Sequence, residues 1–439
     1  MTSARNNAVA AALAPAGSAP ATRIRWRIAG LLLLVVTLTF IDRFNMNVAA
    51  KYIQQEFGMS DVQIGSLLSA FVLGYAVLQA PGGWLGDRIG ARSILLVSIL
   101  WWSVFTALTA WSPTLPLAHW IGVGGSLWAV RFAVGLGEAP ALPNVNKILG
   151  RWLTPRERAR GNSLILAGVG LGGTFTPPII AWMMLTWGWR LSFMVCGALG
   201  LLIAALWHFY STERPDQHPR VNNAELALIS AGRPATSQAA TPWRRMFSGA
   251  NVPALMLSNF LVGYVMYIFY TWFFLYLVKV RHFAIMSGSY WSTAPFVAIL
   301  IAAPLGGWIS ESMVHRLGHR WGRRAPVLAA TVMCGALVMT GSRVEHPYLA
   351  IVLLALGAGC NCIVAVTQWT LPNDISEHNG GAIAGVLNTT TNFGGALSPV
   401  LTPYIANRWG WIAAFDFSAA LLCIVFAVWF VIDAERRID

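Results

Sequence analysis

The chain has 439 residues, of which 56% are hydrophobic and 11% are charged. Because soluble domains are roughly a quarter charged, this composition excludes a soluble globular protein and predicts a protein that crosses the membrane many times. The net charge is +13, but the basic residues lie in alternate loops between apolar segments rather than on one face, so we predict no nucleic-acid partner.

Along the chain, a short tail is followed by twelve apolar segments. Residues 1–22 are rich in Ala, Pro and Ser and predict a disordered N-terminal tail. Each later segment is long enough to cross the roughly 30 Å hydrocarbon core of a bilayer as a helix. The predicted spans are residues 28–49, 63–85, 93–112, 119–149, 161–186, 191–210, 251–279, 287–310, 325–343, 347–372, 381–406 and 411–433.

The distribution of Lys and Arg predicts the orientation of the chain. Twenty-two of these residues lie in the two tails and in every second loop, whereas six lie in the other loops. Basic residues are retained on the cytoplasmic side of a membrane, so we predict that both termini are cytoplasmic. We expect a multi-pass monomer in the lipid bilayer of the cell inner membrane.

An internal repeat divides the chain into two halves. Residues 172–193 and 394–415 share seven identical residues in register, without a gap, at an offset of 222 positions. GGWLGD at 82–87 and GGWISE at 306–311 repeat at an offset of 224 positions. Parallel repeats of this kind create a binding site at their interface, near the middle of the membrane.

The repeat predicts an all-α membrane fold in which two six-helix bundles are related by pseudo-two-fold symmetry. The predicted domains are a first bundle at 23–210, a cytoplasmic central loop at 211–250, a second bundle at 251–433 and a C-terminal tail at 434–439. Within the loop, NNAELALISAG predicts one short helix. We call the two bundles the first half and the second half.

GGWLGDRIGAR, residues 82–92, resembles the signature loop between the second and third helices of the major facilitator superfamily, G-x-x-x-D-R-x-G-x-R. Within that superfamily, IDRFNMNVAA (41–50) and RFAVGLGEAPALPN (131–144) resemble the anion:cation symporter family. The resemblance extends from about residue 25 to the C-terminus. It implies the twelve-helix fold and the transport of sugar acids or other organic anions.

The signature loop carries three charged residues, Asp87, Arg88 and Arg92. By the same resemblance, they form a gating latch between helices that holds the outward-facing state. They fall at a predicted cytoplasmic turn and therefore outside any central site. The second copy of the loop departs from the pattern, because Glu311 stands where the first copy has Asp87.

Four charged residues lie within predicted spans of the first half. They are Asp42, Arg43, Arg131 and Glu138. A charge near the bilayer centre costs about 2.5–3.5 kcal/mol on insertion scales, and these four sum to zero, which predicts mutual pairing inside a polar cavity. Arg131 and Glu138 are two helical turns apart on one face, so we expect them to be partners. Asp42 and Arg43 diverge by about 100°, so only one can point straight into a given pocket.

Each of these charges has a candidate role. An Arg fork matches a carboxylate and stays protonated, so Arg43 is the first candidate for binding an anion, with Arg131 as the second cation. A buried acid whose charged form is disfavoured can take up a proton near neutral pH, so Asp42 and Glu138 are the candidate proton carriers. The competing interpretation is that these residues form structural ion pairs that lock helices together.

Polar and aromatic residues within the spans are candidates for reading the hydroxyl groups of a substrate. The predicted set is Tyr75, Gln79, Tyr267, Thr367, Trp369, Asn388 and Asn392, with Asn144, Asn259, Trp272 and Gln368 as further polar residues. By resemblance, Tyr75, Thr367, Trp369 and Asn388 align with substrate-contact positions of sugar-acid transporters, whereas Gly168 stands where such members often have Gln. Helix packing and interhelical hydrogen bonding are the competing uses.

Several patterns carry no function in this context. GVGLGG (168–173) matches a dinucleotide-binding pattern, but it follows no strand and lies within a predicted span. The five cysteines all fall in apolar segments, and we expect neither a disulfide nor a metal site. The sequence has no nucleophile motif and no phosphate-binding loop, so we predict no enzyme activity, no cofactor and no ATP-driven transport.

These observations predict a secondary transporter that takes up an organic anion with protons by alternating access. A sugar acid (an aldonate, aldarate or hexuronate) is the first substrate class, and an aromatic or small dicarboxylic acid is the alternative for the same machinery. The proton gradient is the expected energy source, and sodium is left open. A drug-efflux antiporter, which would have a broad apolar pocket without a fixed arginine pair, and a membrane enzyme are the less favoured alternatives.

Overall fold

The computed structural model describes residues 20–154, 157–231, 247, 249–376 and 380–435. Residues 1–19 of the predicted N-terminal tail, 232–246 of the central loop and 436–439 of the C-terminal tail lie outside the described residues. The predictions for these segments are therefore not addressed by the structure.

The described chain folds into fifteen α-helices, many of them long. In chain order they are α1 (Ile24–Phe57), α2 (Asp61–Ile89), α3 (Ala91–Thr109), α4 (Pro116–Glu138), α5 (Ala141–Trp152), α6 (Arg158–Trp187), α7 (Trp189–Tyr210), α8 (Asn223–Ser230), α9 (Asn251–Tyr267), α10 (Phe273–Lys279), α11 (Ile285–Trp291), α12 (Ala294–Arg343), α13 (Pro347–Ile375), α14 (Gly380–Trp409) and α15 (Trp411–Val428). A π-helical turn, Ile268–Trp272, joins α9 to α10.

These helices supply the twelve predicted membrane spans. Within the described residues, ten helical stretches are long and apolar enough to cross a membrane. The longest stretch, Ile285–Arg343, breaks at Gly318, whose φ of 77° is non-helical, and so contains two spans. The remaining span is α14, which carries the polar residues 388–392 and packs against α2 and α9. The predicted all-α fold is confirmed.

The internal repeat is visible in the packing of the two halves. Gly188 and Gly410, which the repeat aligns, have nearly equal φ values of 83° and 87° and each precedes the last spanning helix of its half. Glycine adopts such positive φ values without steric cost. Gly172 packs directly against α1, and its repeat partner Gly394 packs directly against α9. The first and fifth spans therefore meet in the same way in both halves.

The predicted short helix of the central loop, α8, fastens the start of α1. The first N–H groups of a helix have no partner within it, and Arg23 gives α1 no side-chain cap. Instead, Glu225 of α8 accepts hydrogen bonds from the N–H groups of Ile24 (3.2 Å) and Arg25 (3.1 Å). The Arg25 guanidinium also joins Glu225 to Glu157, at 2.9 and 3.0 Å. Part of the central loop is thus a structural component of the first half.

Replacing Glu225 with Gln is expected to lower thermal stability in a pH-dependent way. Burial raises the pKa of the Glu225 carboxyl, but the hydrogen bonds from Thr22, Arg25 and Ile24 outweigh burial and lower the pKa overall. A group whose pKa is lowered on folding stabilises the protein above its unfolded pKa of 4.5 and loses this contribution as the pH falls through the folded value.

Because hydrogen bonds to charged groups contribute about 1.5–3 kcal/mol, the apparent Tm of detergent-purified Glu225→Gln protein should fall by about 2–5 °C at neutral pH. The difference in Tm between the variant and the unmodified protein should become smaller as the pH is lowered past the unfolded pKa of the Glu225 carboxyl. Glu345→Gln, at an exposed position, is the matched control and should leave the Tm unchanged. Equal Tm values at neutral pH for Glu225→Gln and the unmodified protein would contradict the prediction.

Candidate functional site

A buried ion pair joins α1 to α4 inside the first half. Arg43 donates from Nε to Oε1 of Glu138 at 2.7 Å, and its Nη2 lies 2.5 Å from the same oxygen. The side chains of Glu138 and Arg43 are 1% and 16% exposed. Two of the four intramembrane charges, Arg43 and Glu138, therefore pair with each other.

The partner of Glu138 differs from our prediction. We expected Arg131, because the two residues share a face of one helix. Seven residues along a helix span about 10.5 Å, which is too far for two side chains lying side by side to pair directly. Arg43 reaches Glu138 from the neighbouring helix α1 instead.

Arg131 lies in the same site with donors that are not used. The residue is 2% exposed, and its Nε and Nη1 have no hydrogen-bond partner among the described residues. Its guanidinium carbon is 5.2 Å from the ring centroid of Phe71, and that of Arg43 is 5.1 Å from the same centroid. Buried polar groups are normally hydrogen-bonded, so two donors of Arg131 are available to an anion.

A small cavity of about 30 Å³ lies between the halves, beside these charges. Its lining residues are Phe40, Arg43, Phe44, Asn47, Leu68, Phe71, Val72 and Arg131 from the first half, and Tyr267, Tyr270 and Thr271 from the second half. The α1 residues among them recur every three or four positions and so share one helix face. The two cations and Tyr267 were predicted from the sequence. Most of the aromatic lining was not predicted, although this spacing around Arg43 could have indicated it.

Asp42 is close to the ionic cluster but does not line the cavity. Both of its carboxylate oxygens are buried without a hydrogen bond in the described structure, and Glu138, Arg131 and Trp102 lie within electrostatic reach. Arg43, the next residue, does line the cavity. The predicted divergence of the two neighbours is confirmed.

A chain of hydrogen bonds crosses from the first half to the second half. Gln79 donates from Nε2 to the hydroxyl of Tyr75, and its Oε1 accepts from Nδ2 of Asn392, both at 3.3 Å. Tyr267 donates its hydroxyl to Oδ1 of Asn392 at 3.2 Å. Asn392 Nδ2 also donates to Oδ1 of Asn388 at 3.4 Å. Five of the predicted substrate-binding residues are thus brought together.

Two other predicted substrate-binding residues lie elsewhere on α13. Thr367 is fully buried, and its hydroxyl donates to the carbonyl of Ile363 in its own helix at 3.0 Å. Trp369 is 42% exposed. Neither lines the cavity between the halves, because α13 packs chiefly against α12.

The remaining polar residues of the spans form hydrogen bonds within the protein. Asn144 donates to the carbonyl of Gly82 (3.2 Å), Asn259 accepts from Thr391 (3.2 Å), Trp272 donates to the carbonyl of Pro399 (3.1 Å) and Gln368 donates to Ser258 (2.5 Å). These contacts favour a packing role over substrate contact for this group. Gly168 is also packed against a neighbouring helix, because a side chain at this position would contact Leu33 and Thr37 of α1 too closely.

The signature-loop residues lie at one membrane side, which we call the Asp87 side. Asp87 pairs with Lys147 of α5 at 2.6 Å. The Arg88 guanidinium lies 4.2 Å from the ring of Trp84. These contacts stay within the first half, and the latch function remains a prediction.

Arg92 of the same loop meets a glutamate that our sequence analysis did not single out. Arg92 donates from Nε to the carbonyl of Ser211 at 2.8 Å. Glu213 accepts from the N–H groups of Ala91 (3.0 Å) and Arg92 (2.9 Å) at the start of α3 and pairs with Arg151. A carboxylate at a helix N-terminus is stabilising, and its position next to the basic signature loop is the signal that could have indicated it.

The two halves contact each other on the opposite membrane side, which we call the Asp61 side. Lys279 Nζ lies 2.5 Å from Oδ1 of Asp61, the one ion pair between the halves in the part of the chain that the structure describes. Nearer the cavity, Ser69 donates to the carbonyl of Ala396 at 2.6 Å. No ion pair between described residues joins the halves on the Asp87 side. The halves are therefore closed together on the Asp61 side.

Replacing Lys279 with Met is expected to open this side more often. A partly exposed ion pair contributes up to about 1 kcal/mol, so its loss should shift the open population roughly fivefold. We expect a membrane-impermeant maleimide to label an introduced Ser69→Cys thiol faster, after the labelling of the native cysteines is subtracted. Arg190→Met, which removes an exposed ion pair within the first half, is the matched control. Unchanged Ser69→Cys labelling in Lys279→Met would show that the pair does not hold this side closed.

Comparisons with known proteins agree on one family. The sequence model of the Major Facilitator Superfamily matches residues 32–316 and 312–438. The chain is 31% identical to the probable sulfoacetate transporter SauU of Cupriavidus necator over 91% of this chain and 92% of that protein. It is 27% identical to the probable galactarate/D-glucarate transporter GudP of Bacillus subtilis (94% and 91% covered) and 28% identical to the D-galactonate transporter of Escherichia coli (93% and 96% covered).

A solved structure supports the same fold. It is that of a bacterial homolog to the human lysosomal transporter Spinster, in an inward-facing and occupied conformation, with a TM-score of 0.76 at 20% identity over 96% of this chain and 98% of that chain. The relatives carry the names of transporters, in agreement with the prediction that the chain is not an enzyme. The chain is a multi-pass membrane protein that belongs to the major facilitator superfamily.

Proposed function

We propose that this protein is a secondary transporter that takes up an organic anion into the cell together with protons. The relatives are named for galactarate/D-glucarate, D-galactonate and sulfoacetate, and these compounds share an acid group. Sugar acids were the first class that the sequence predicted and stay within the proposal. The acid group is the feature that we assign to the substrate here.

One observation carries this proposal. A cavity between the halves is lined by two arginines, of which Arg43 is paired with the buried Glu138 and Arg131 keeps two donors without a partner. A guanidinium donates short, charge-assisted hydrogen bonds to carboxylate oxygens. The unused donors of Arg131 are therefore suited to the first contact with an anion.

The Arg43–Glu138 pair supplies a route to proton coupling. When Glu138 takes up a proton, its charge attraction to Arg43 is lost, and the Arg43 guanidinium becomes available to the bound anion. Asp42, near Arg131, is the second candidate proton carrier. One anion and its protons then occupy the site together, which is the charge balance that symport requires.

Alternating access follows from where the halves touch. Contacts between the halves close the Asp61 side, and the positive-inside rule assigns the Asp87 side to the cytoplasm. The structure would then be a state that opens toward the cytoplasm, with both termini on that side of the inner membrane. Rocking of the halves about the cavity would expose it to the other side.

The test is uptake by the purified protein in proteoliposomes. A panel of sugar acids, aromatic acids and small dicarboxylic and sulfonic acids is supplied outside, with the interior either alkaline or at equal pH, and with sodium or potassium as the outer cation. We expect accumulation of at least one anion only with the alkaline interior, whichever cation is present. Accumulation that needs sodium and ignores the pH gradient would replace the coupling ion, and no uptake of any anion would contradict the proposal.

A further inference from the structure

We infer that the anion bound between the halves is an aromatic carboxylate rather than a polyhydroxylated acid. This inference rests on the proposed function and narrows its substrate class. It comes from the composition of the cavity wall, in which five of the eleven lining residues are aromatic and only four are polar or charged.

The aromatic rings enclose the cavity from both halves. From the first half, Phe44 lies 6.1 Å from Tyr270 at an angle of 82° and 4.6 Å from Phe296 at 68°. From the second half, Tyr270 is 5.7 Å from Tyr267. Edge-to-face and offset arrangements at these distances are favourable for aromatic groups. Once the wall side chains move apart to enlarge the small cavity, a planar ring that enters can extend this arrangement and displace water from apolar surface.

Three polar side chains of the wall already donate hydrogen bonds within the protein. Thr271 donates its hydroxyl to the carbonyl of Tyr267 at 2.6 Å. Asn47 donates to the carbonyl of Tyr270. Tyr267 donates its own hydroxyl to Asn392. A sugar acid carries several hydroxyl groups, and each would lose its water here without a hydrogen bond from these three donors in return, which weakens binding.

The free donors of the wall suit a single anionic group. Arg131 keeps Nε and Nη1 without a partner, whereas Arg43 is bonded to Glu138. Both guanidinium groups lie about 5 Å from the ring centroid of Phe71. The positively charged part of the site is therefore next to its aromatic wall. A carboxylate attached directly to a ring matches this arrangement of charge and apolar surface.

The test is isothermal titration calorimetry on the detergent-purified full chain, with benzoate and D-gluconate as the probes. We expect benzoate to bind at least tenfold more tightly than D-gluconate, with binding lost in Arg131→Gln. Equal or tighter binding of D-gluconate, also dependent on Arg131, would overturn the substrate class and leave the proposed function intact. Binding of neither probe would overturn it as well. The proposed function fails on a separate result in the proteoliposome assay: no anion of the panel is taken up, or uptake ignores the pH gradient.

A set of variants tests the aromatic wall itself. Tyr270→Leu should weaken benzoate binding roughly three- to tenfold and leave D-gluconate binding no weaker. Tyr270→Phe keeps the ring and should restore most of the affinity for benzoate, which a general folding defect would not allow. Tyr404→Leu makes the same change at a position that is 52% exposed and is the matched control. Equal losses for both probes in Tyr270→Leu would contradict a role of the ring in selecting the substrate.

Discussion

Glu138→Gln protein is expected to exchange its anion across the membrane but to lose accumulation driven by the pH gradient. Glutamine keeps the shape of the side chain and can still accept a hydrogen bond from Arg43, but it cannot take up or release a proton. Exchange needs only binding and movement of the halves, whereas accumulation needs a proton to travel with the anion. We expect gradient-driven accumulation to fall at least tenfold while exchange stays within about twofold of the unmodified rate, since the site remains electrostatically able to bind anions.

The measurement compares two assays on the same proteoliposomes, namely uptake against an alkaline interior and exchange of labelled anion between equal concentrations. Glu138→Asp retains the carboxylate and should keep part of the coupling. Glu56→Gln removes a carboxylate from an exposed ion pair with Arg190 and should leave both assays unchanged. Accumulation that survives in Glu138→Gln would remove Glu138 from the coupling mechanism and leave Asp42 as the remaining candidate.

Dependence on Arg43 separates this mechanism from drug efflux. An efflux pump of this fold would bind apolar compounds in a broad pocket, and the loss of one cation would change its transport little. In this chain the cavity is lined by both Arg43 and Arg131, so an anion must meet fixed positive charge. The fixed pair of arginines is the feature that distinguishes the two classes.

The helices and the equivalence of the two halves were predictable because they depend on local sequence and on repetition. Apolar stretches of about twenty residues specify spans in a bilayer, and the 222-residue offset specified the equivalence of Gly188 and Gly410 that the backbone shows. The charges Asp42, Arg43 and Glu138 were identifiable because ionised groups are rare and costly in lipid. These signals are present in the sequence without any knowledge of how the helices pack.

The partners of the charged residues were not predictable, because they depend on distances between helices. A shared face of α4 suggested that Arg131 pairs with Glu138, but the structure shows Arg43 in that position. The Asp61–Lys279 pair joins residues 218 positions apart, and both sit at span ends where charged residues are ordinary. The aromatic wall was missed for a related reason, since an aromatic residue in a membrane helix is most often packing and only the position of Arg43 distinguishes those that line the site.

Arg131→Gln is expected to show the largest loss of anion binding among single variants of the site. Its Nε and Nη1 are two buried guanidinium donors beside the cavity that have no hydrogen-bond partner among the described residues, and truncating one partner of a buried charged contact costs about 2–5 kcal/mol. The apparent affinity for the transported anion should therefore fall at least about 30-fold. Arg131→Lys keeps the charge but loses the fork, and we expect an intermediate loss because a lysine binds a carboxylate as a point charge.

A structural explanation for the same loss can be separated by a charge-balanced variant. Arg131 neighbours Asp42 in the buried cluster, so removing the arginine alone leaves an acid without its nearest cation and destabilises the protein. Arg131→Gln combined with Asp42→Asn removes both charges and should restore the apparent Tm, but it should not restore anion affinity if Arg131 contacts the anion. Arg343→Gln, which removes an exposed cation paired with Asp416, should change neither quantity. Recovery of affinity together with Tm in the double variant would show that Arg131 supports the fold and that the anion is bound elsewhere, with Arg43 as the remaining cation of the cavity.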